Sequence, residues 1–168
     1  KYDGIFLGRL HPTKGIFELI DIWKNVVRDQ KNAKLAIIGG GTDDIVSSLK
    51  KRILQSNLQS NIELLGFIED SDKVYSILKS GKVFLDPEHE NGWSLVTCEA
   101  MACKLPVVAY NIQIFGTAFK QGFITVPLHN TNKYAEAVLR LLKNNEERLQ
   151  LAKKAYAEVS KFDWKQTS

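Results

Sequence analysis

Short apolar runs alternate with amphipathic patterns along the whole of this 168-residue chain. The runs predict six strands, at Gly4–Leu7, Leu35–Ile38, Ile62–Leu65, Val83–Leu85, Val107–Tyr110 and Phe123–Val126. Apolar residues spaced three and four apart predict helices near Ile16–Arg28, Asp44–Gln55, Asp72–Lys79, Ser94–Cys103, Lys133–Leu142 and Glu146–Lys161. Strands that are apolar almost throughout, with helices between them, are typical of a parallel sheet covered on both faces. The sequence therefore predicts an α/β fold with a doubly wound, six-stranded parallel sheet of the Rossmann-like type.

The strand order of such a sheet determines where a ligand binds. Right-handed crossovers favour the order 3-2-1-4-5-6. In that order the chain reverses direction between the first and fourth strands, and a crevice opens at their carboxyl ends. The loops expected to meet there are residues 8–15 and 86–94. We therefore predict the ligand site at this crevice.

Length and composition fit one compact domain with a substantial core, because 44% of the residues are hydrophobic. The formal net charge of +4 fits an anionic ligand or an anionic membrane surface. The lysines are spread along the helices rather than clustered, so nucleic acid is not an expected partner. No apolar run approaches the roughly 20 residues that span a bilayer.

The cysteines and histidines do not predict a metal site. Cys98 and Cys103 lie five positions apart on one predicted helix, where their side chains point in different directions. We expect two reduced thiols, which suits a cytoplasmic protein. The three histidines, His11, His89 and His129, are scattered along the sequence. No metal and no cofactor are expected.

Two cations, Arg9 and Lys14, lie on the loop after the first strand, between Gly8 and Gly15. Gly8 allows a sharp turn, and Gly15 opens the next helix. An arginine can hold a phosphate with a forked pair of hydrogen bonds, and a lysine can act as a point charge. The loop therefore predicts a phosphate site; the alternative is a pair of merely exposed loop cations.

Two carboxylates flank the start of the fourth helix: Glu90 in the loop and Glu99 on the helix. A carboxylate near the floor of a crevice is costly unless it is paired, and sugar or ribose hydroxyls would pair with it. The alternatives are a backbone contact for Glu99 and a solvated loop position for Glu90. Ser94 is most simply the helix N-cap, with a phosphate contact as the second possibility. Trp93 covers the helix start in the simplest interpretation.

Glycines follow the second and third strands as well. Gly39-Gly40-Gly41 either allows a ligand to approach the backbone or forms a plain strand-to-helix turn. Gly66-Phe67-Ile68 either provides a wall beside a nucleobase or places Phe67 in the core. The sequence leaves both pairs of alternatives open.

Taken together, these motifs resemble the C-terminal, donor-binding domain of retaining glycosyltransferases of the GT-B type, in the large family that includes sucrose synthases and many mannosyl- and glucosyltransferases. The resemblance covers nearly the whole chain, residues 1–168, as one nucleotide-sugar binding domain, or half of a GT-B fold. The matching segments are Gly8-Arg9-Leu10, Lys14-Gly15, Gly66-Phe67, Glu99-Ala100-Met101-Ala102-Cys103 and Leu105-Pro106-Val107-Val108-Ala109.

The resemblance implies a role for each matching residue. Arg9 and Lys14, on the loop that Gly8 begins, bind the diphosphate and stabilise the charge on the leaving group. Glu99 accepts hydrogen bonds from the ribose, and Glu90 holds the hydroxyls of the sugar. The remaining binding positions are the amides of Trp93, Ser94 and Leu95 around phosphate oxygens, the turn that Gly92 provides, and the backbone of Gly66, Phe67 and Ile68 beside the base.

The first glutamate departs from the family's spacing. The family usually places seven residues between its two glutamates, whereas eight separate Glu90 from Glu99. Strict spacing lands on Asn91. Either the loop carries one extra residue and Glu90 serves, or Asn91 takes the role as a neutral partner. We favour Glu90, because loops absorb insertions readily.

The implied reaction transfers a hexose from a nucleoside diphosphate to an acceptor hydroxyl with retention of the anomeric configuration. Its donor is a nucleotide sugar, and its acceptor is a sugar or a lipid-linked sugar. The acceptor is held by an N-terminal domain outside this chain, so we expect the chain to be part of a longer protein and inactive alone. The expected location is cytoplasmic, with peripheral attachment to the cytoplasmic face of a membrane as an alternative.

Three rival interpretations remain open from the sequence. A nucleotide-sugar epimerase would bind the same donor and isomerise it. A non-catalytic nucleotide-binding module is favoured if the extra loop residue disables Glu90. A flavodoxin-like signalling domain would need an acidic pocket at the strand ends, where this chain carries Arg9 and Lys14 instead.

Overall fold

A computed structural model of the chain describes residues 1–90 and 94–162. Six strands and seven α-helices alternate along these residues, with a 3₁₀ turn at Pro12–Lys14 before the first helix. The strands are β1 (Tyr2–Leu7), β2 (Leu35–Ile38), β3 (Ile62–Gly66), β4 (Gly81–Asp86), β5 (Val107–Tyr110) and β6 (Phe123–Val126). The helices are α1 (Ile16–Asp29), α2 (Asp43–Gln55), α3 (Ser71–Lys79), α4 (Leu95–Ala102), α5 (Ile114–Thr117), α6 (Thr131–Lys143) and α7 (Asn145–Val159).

The six strands form one parallel sheet in the order β3-β2-β1-β4-β5-β6. Ile5 of β1 is paired with Ala36 of β2 on one side and with Phe84 of β4 on the other. The predicted fold class and strand order are thus confirmed, and the reversal of winding lies between β1 and β4. Because all the strands are parallel, the loops that follow them meet at one edge of the sheet.

Neighbouring residues of each strand face opposite layers of the core. Phe6 of β1 packs among residues of α1, α2 and α6, whereas Ile5 packs among residues of α3, α4 and α7. The first group of helices covers one face of the sheet and the second group covers the other. We call these the α1–α6 face and the α3–α4 face.

The predicted elements lie within two residues of those observed at each end. The short helix α5, with non-helical backbone at Phe115 and Gly116, was not predicted because its four residues contain no periodic pattern. The apolar spacing of the first helix also predicts that Val27 is buried, but the buried residue near the carboxyl end of α1 is Val26, and Val27 is only partly buried. Cys98 and Cys103 are both free thiols, as expected.

No helix in the described part of the chain is both long enough and apolar enough to cross a membrane.

Candidate functional site

The loops that follow β1 and β4 are in direct contact and are hydrogen-bonded to each other. We call them the loop pair, residues 8–15 and 87–90. The amide of His89 donates a hydrogen bond of 3.0 Å to the carbonyl oxygen of Thr13. Gly15 has a φ of +68°, and a Cβ added there would lie 2.0 Å from the carbonyl oxygen of Pro87. Only glycine fits both this left-handed conformation and this approach, so Gly15 allows the two loops to touch.

Lys14 forms an ion pair across the loop pair with Glu88. The side chain of Glu88 is only 11% exposed, and that of Lys14 is 31% exposed. Lys14 is therefore neither a free phosphate ligand nor a merely exposed cation. Its ammonium group is held at the crevice by a carboxylate that the sequence analysis did not single out.

Arg9 contrasts with Lys14, because Arg9 is exposed and makes neither a hydrogen bond nor an ion pair with any other described residue. It lines an open cavity of about 390 Å³ beside the carboxyl ends of β1 and β2. We call this the β1 cavity; its lining residues are Leu7, Gly8, Arg9, Ile38, Gly39, Gly40, Phe67 and Ile68. Four of the predicted binding residues, Gly8, Arg9, Phe67 and Ile68, are thus brought together.

The aromatic ring of Phe67 lies at the surface of the β1 cavity. Phe67 is 77% exposed, so the interpretation that placed it in the core is wrong. It follows Gly66, whose φ is +70° with nothing within 4 Å of an added Cβ. The left-handed turn at Gly66 ends β3 and leaves the aromatic side chain uncovered, which is a costly arrangement unless something stacks on it.

The glycines after β2 serve the packing of the loops. A Cβ on Gly39, with φ at +148°, would lie 1.8 Å from the carbonyl oxygen of Gly8, and one on Gly41 would lie 2.8 Å from Leu10. The amide of Leu10 also donates to the carbonyl oxygen of Gly40 at 2.8 Å. These glycines therefore allow their backbone to lie against residues 8–10, the start of the loop after β1 (the β1 loop).

The start of α4 is fixed by a buried network at the carboxyl end of β4. The hydroxyl of Ser94 caps the helix by accepting from the amide of Thr97 at 3.3 Å, which confirms the predicted N-cap. The Thr97 hydroxyl lies 2.7 Å from that of Ser94 and donates to Asp86 at 2.6 Å. The first-turn amides of Leu95 and Val96 have no acceptor within their own helix, and they lie at the positive end of its dipole.

The carboxyl group of Asp86 is 7% exposed and belongs to the last residue of β4. Burial raises the pKa of Asp86 to about 6, although the hydrogen bond from Thr97 acts in the opposite direction. The sequence offered a signal for this residue, since a charged side chain directly after the buried apolar run Val83–Leu85 must find a partner.

Glu99 lies in a second open cavity, of about 520 Å³, between α3 and α4. We call it the α4 groove; its lining residues are Tyr75, Lys79, Leu95, Cys98, Glu99, Ala102 and Cys103. The Tyr75 hydroxyl donates to Glu99 at 3.4 Å, which is long for such a bond. The backbone contact considered for Glu99 is thus replaced by a weak contact with a side chain. Burial raises the pKa of Glu99 above its ordinary value, and Tyr75 offsets this only in part.

The β1 cavity and the α4 groove are both bordered by residues of the same core layer. Leu7, Ile38 and Ile68 of the β1 cavity pack against the core layer that contains Cys98 of the α4 groove. Both cavities therefore adjoin the α3–α4 face, and both α4 and the β1 loop follow the adjacent strands β4 and β1. Arg9 and Glu99 therefore line two different cavities that border one core layer.

Glu90 is exposed at the end of the described loop. The residues that follow it in the predicted site, Asn91, Gly92 and Trp93, lie outside the described residues. The choice between Glu90 and Asn91 as the first acidic position therefore stays a prediction.

A cluster of polar aromatic residues lies on the other side of the sheet, around Glu18 in the first turn of α1. Tyr110 donates to the Glu18 carboxylate at 2.5 Å, His129 Nδ1 lies 2.7 Å from it, and His89 Nε2 lies 3.2 Å from it. We call these four residues the histidine cluster. Burial alone would raise the pKa of Glu18, but the hydrogen bonds from Tyr110 and His129 outweigh burial and lower it.

Two of the three histidines, although far apart in the sequence, come together in the fold. The rings of His89 and His129 are 4.6 Å apart, because the loops after β4 and β6 reach the same edge of the sheet. The predicted strand order places both loops at the same edge of the sheet, but no spacing motif in the sequence indicates that residues forty positions apart are in contact.

The chain matches the model of a known family, described as glycosyl transferases group 1, over residues 1–158. It is 29% identical over 163 residues to an uncharacterised glycosyltransferase of Methanocaldococcus jannaschii, covering 96% of this chain and 44% of the relative. It is 28% identical to the phosphatidyl-myo-inositol mannosyltransferase of Mycobacterium leprae, covering 95% of this chain and 42% of that relative.

Its fold is also that of solved glycosyltransferase structures. The crystal structure of a TarM variant from S. aureus, in complex with UDP and other ligands, superposes with a TM-score of 0.87 at 25% identity. The superposition covers 99% of this chain and 34% of TarM. The chain thus spans less than half the length of the curated relatives that it matches.

Because the family model matches residues 1–158, nearly the whole chain, the chain belongs to the family of glycosyl transferases group 1.

Proposed function

We propose that this chain supplies the donor site for transfer of a hexose from a nucleoside diphosphate sugar, with retention of the anomeric configuration. The observation that carries the proposal is the shared location of Arg9 and Glu99. Arg9 is an exposed cation that pairs with no other described residue, and Glu99 is a half-buried carboxylate with one weak partner. The cavities that they line both adjoin the α3–α4 face.

The diphosphate is assigned to the region between the loop pair and the start of α4. Arg9 offers a forked set of donors, and Lys14 offers a charge that Glu88 already holds in position. The amides of Leu95 and Val96 add donors at the positive end of a helix dipole. Charge that develops on the leaving diphosphate would be stabilised by these groups, in the place that a divalent metal takes in other transferases.

The nucleoside is assigned to the two open cavities. Glu99 in the α4 groove would accept hydrogen bonds from ribose hydroxyls, which replace the weak contact with Tyr75. Phe67 in the β1 cavity offers an exposed aromatic face for the base. UDP in the TarM complex is the ligand of that protein, and we propose the same class of ligand for this chain.

The acceptor is assigned to a part of the protein outside this chain. The relatives that the chain matches are more than twice its length, and one of them is named for a lipid acceptor, phosphatidyl-myo-inositol. We propose a sugar or lipid-linked acceptor, held by an N-terminal domain, with the transfer taking place in the cytoplasm or at the cytoplasmic face of a membrane. Glu90, or Asn91 in its place, would hold the sugar hydroxyls on the donor side.

A thermal-shift screen tests the proposal. Ligands that bind the native state raise the melting temperature by mass action. We expect one nucleoside diphosphate among UDP, GDP and ADP to raise it, and Arg9→Ala to abolish that shift while leaving the unliganded melting temperature unchanged. Lys24→Ala, which removes an exposed cation on α1, serves as the matched control. No shift with any of the three, or an equal shift in Arg9→Ala, would contradict the donor site.

A further inference from the structure

The histidine cluster shares His89 with the loop pair, but its other members lie away from the two cavities proposed for the donor. Glu18 belongs to α1, and Tyr110 packs in the core layer of the α1–α6 face. The two cavities that we assign to the donor adjoin the opposite face. The chemistry described above has no use for these residues, so their convergence needs another explanation.

Three different loops or helices bring ligand atoms together at this cluster. Glu18 comes from the first turn of α1, His89 from the loop after β4, and His129 from the loop after β6. One carboxylate oxygen and one nitrogen from each ring all lie within 4.8 Å of one another. Around a zinc ion with bonds near 2.0–2.1 Å, tetrahedral ligand atoms are roughly 3.3 Å apart, so the side chains would have to bring these atoms closer by up to about 1.5 Å to form a coordination shell.

One buried nitrogen in the cluster lacks a hydrogen-bond partner. His89 Nε2 is shielded from solvent and has no hydrogen-bond partner among the described residues. It lies 3.2 Å from the Glu18 carboxylate, but this contact does not have the geometry of a hydrogen bond. A buried polar atom left unpaired costs about 1–3 kcal/mol. A bound cation would use the lone pair of this nitrogen.

The surroundings support a coordinated carboxylate. Tyr110 donates to Glu18 at 2.5 Å and fixes the orientation of its carboxylate, which is the role that second hydrogen-bonding groups have around metal ligands. His129 is 57% exposed, so its ring is free to adjust, and a fourth position at the cation would be open to solvent.

We propose that Glu18, His89 and His129 bind a divalent transition-metal cation, of which zinc is the representative. Two imidazoles and one carboxylate favour zinc, nickel or copper over magnesium and calcium, which prefer oxygen ligands alone. The cation ties the loop after β4 to α1 and to the loop after β6, next to Glu90. It is a structural site, and the proposal does not depend on the proposed function.

Titration of the purified chain with zinc chloride tests the site, using protein freed of any histidine tag. The variants are His129→Asn, which removes the imidazole and tolerates the left-handed backbone at φ +60°, and His11→Asn as the control. His11 is the remaining histidine of the chain and caps the 3₁₀ turn at Pro12–Lys14, where asparagine can serve as well. Both substitutions are on exposed side chains, so neither should unfold the protein.

We expect calorimetry to show one zinc per chain, with His129→Asn weakening binding at least tenfold and His11→Asn changing it less than twofold. Tyr110→Phe is expected to weaken binding by about tenfold, within the range for groups that orient metal ligands. Equal zinc affinity in His129→Asn and the unaltered chain would overturn the proposal. So would the absence of any change in melting temperature at about 100 µM zinc, where a specific site would be filled.

Discussion

The two ends of the candidate donor site are built differently. In the loop pair, two polar groups are already satisfied by the protein, because Lys14 is paired with Glu88 and the amide of His89 is bonded to Thr13, while Arg9 is left exposed. In the α4 groove, the carboxylate of Glu99 has only the 3.4 Å contact with Tyr75. One end is closed and preorganised, and the other is open.

This difference follows from what each end has to hold. A diphosphate carries a concentrated negative charge, which is bound best by donors already fixed in place. A ribose offers neutral hydroxyls, whose hydrogen bonds can replace a weak internal contact at small cost. We infer that substitutions at Lys14 and Gly15 affect both folding and binding, whereas substitutions at the exposed Arg9 and in the groove affect mainly binding.

The largest effect is expected where the loops touch. Gly15→Ala places a methyl group 2.0 Å from the backbone oxygen of Pro87, which cannot move without separating the loops. Strain from the left-handed backbone adds about 1–2 kcal/mol. We expect a loss of about 4 kcal/mol or more in the free energy of unfolding, measured by urea denaturation.

Gly66→Ala is the matched control for that substitution. Its φ of +70° is nearly that of Gly15, but an added Cβ meets nothing within 4 Å. It should therefore cost only the backbone strain, about 1–2 kcal/mol. Equal losses in the two variants would show that the contact between the loops contributes nothing to stability.

The next effect concerns the buried carboxyl group of Asp86 and depends on pH. Its pKa in the folded state, about 6, lies above the value of 3.8 that it has without burial, so folding favours the protonated form. The stabilisation is complete below about pH 4 and is lost as the pH rises towards 6 and above. Asp86→Asn keeps an acceptor for the Thr97 hydroxyl and removes this titration.

We expect Asp86→Asn to have stability similar to that of the unaltered chain at pH 4 and to exceed it by about 2–3 kcal/mol at pH 7, since one pKa unit corresponds to about 1.4 kcal/mol. Denaturation curves collected between pH 4 and 7 measure the difference. If the two stabilities stay parallel across that range, the carboxyl group does not titrate as burial requires.

The two cations of the β1 loop provide the third comparison. Lys14→Met leaves the buried Glu88 without its cation and should lower the free energy of unfolding by about 1–3 kcal/mol. Arg9 is exposed and pairs with no other described residue, so Arg9→Met should keep the free energy of unfolding within about 0.5 kcal/mol of that of the unaltered chain. Adding Glu88→Gln to Lys14→Met is expected to restore most of the loss, and a failure to restore it would place the cost elsewhere.

The smallest effect on stability is expected in the α4 groove. Because burial raises the pKa of Glu99, its charged form is disfavoured by folding, and Glu99→Gln should be as stable as the unaltered chain at pH 7 or slightly more so. Tyr75→Phe should remain within about 0.5 kcal/mol, since the contact that it removes is long. Thermal denaturation of the two variants measures this. A loss of more than about 1 kcal/mol of stability in either variant would mean that Glu99 and Tyr75 make stronger contacts within the protein than the 3.4 Å contact indicates.

The sequence predicted the sheet well because each strand contains a short, mostly apolar run and the crossover rule leaves few strand orders. The crevice between β1 and β4 followed from that order. Phe67 could not be placed, because an aromatic residue at a strand end fits a core and a surface equally well. The left-handed turn at Gly66 decides the matter, and it is visible only in the structure.

The sequence did not predict the residues that contact the candidate site residues from distant segments of the chain. Glu88 and Tyr75 matter because they contact Lys14 and Glu99, and contacts between distant segments leave no local pattern. The histidine cluster was missed for the same reason. In contrast, the N-cap at Ser94 was predictable, since it depends on residues three positions apart.

The most direct test of the donor site measures where along the ligand each substitution acts. Calorimetry would compare a nucleoside diphosphate, chosen as the one that stabilises the chain most, with the corresponding nucleoside. We predict that Arg9→Ala weakens binding of the diphosphate by about 10- to 100-fold, or about 1.4–2.7 kcal/mol, and leaves binding of the nucleoside unchanged. Glu99→Ala should weaken binding of both ligands by the same factor. If Arg9→Ala affects neither ligand, or if Glu99→Ala affects neither, the two residues do not share one donor and the account is wrong.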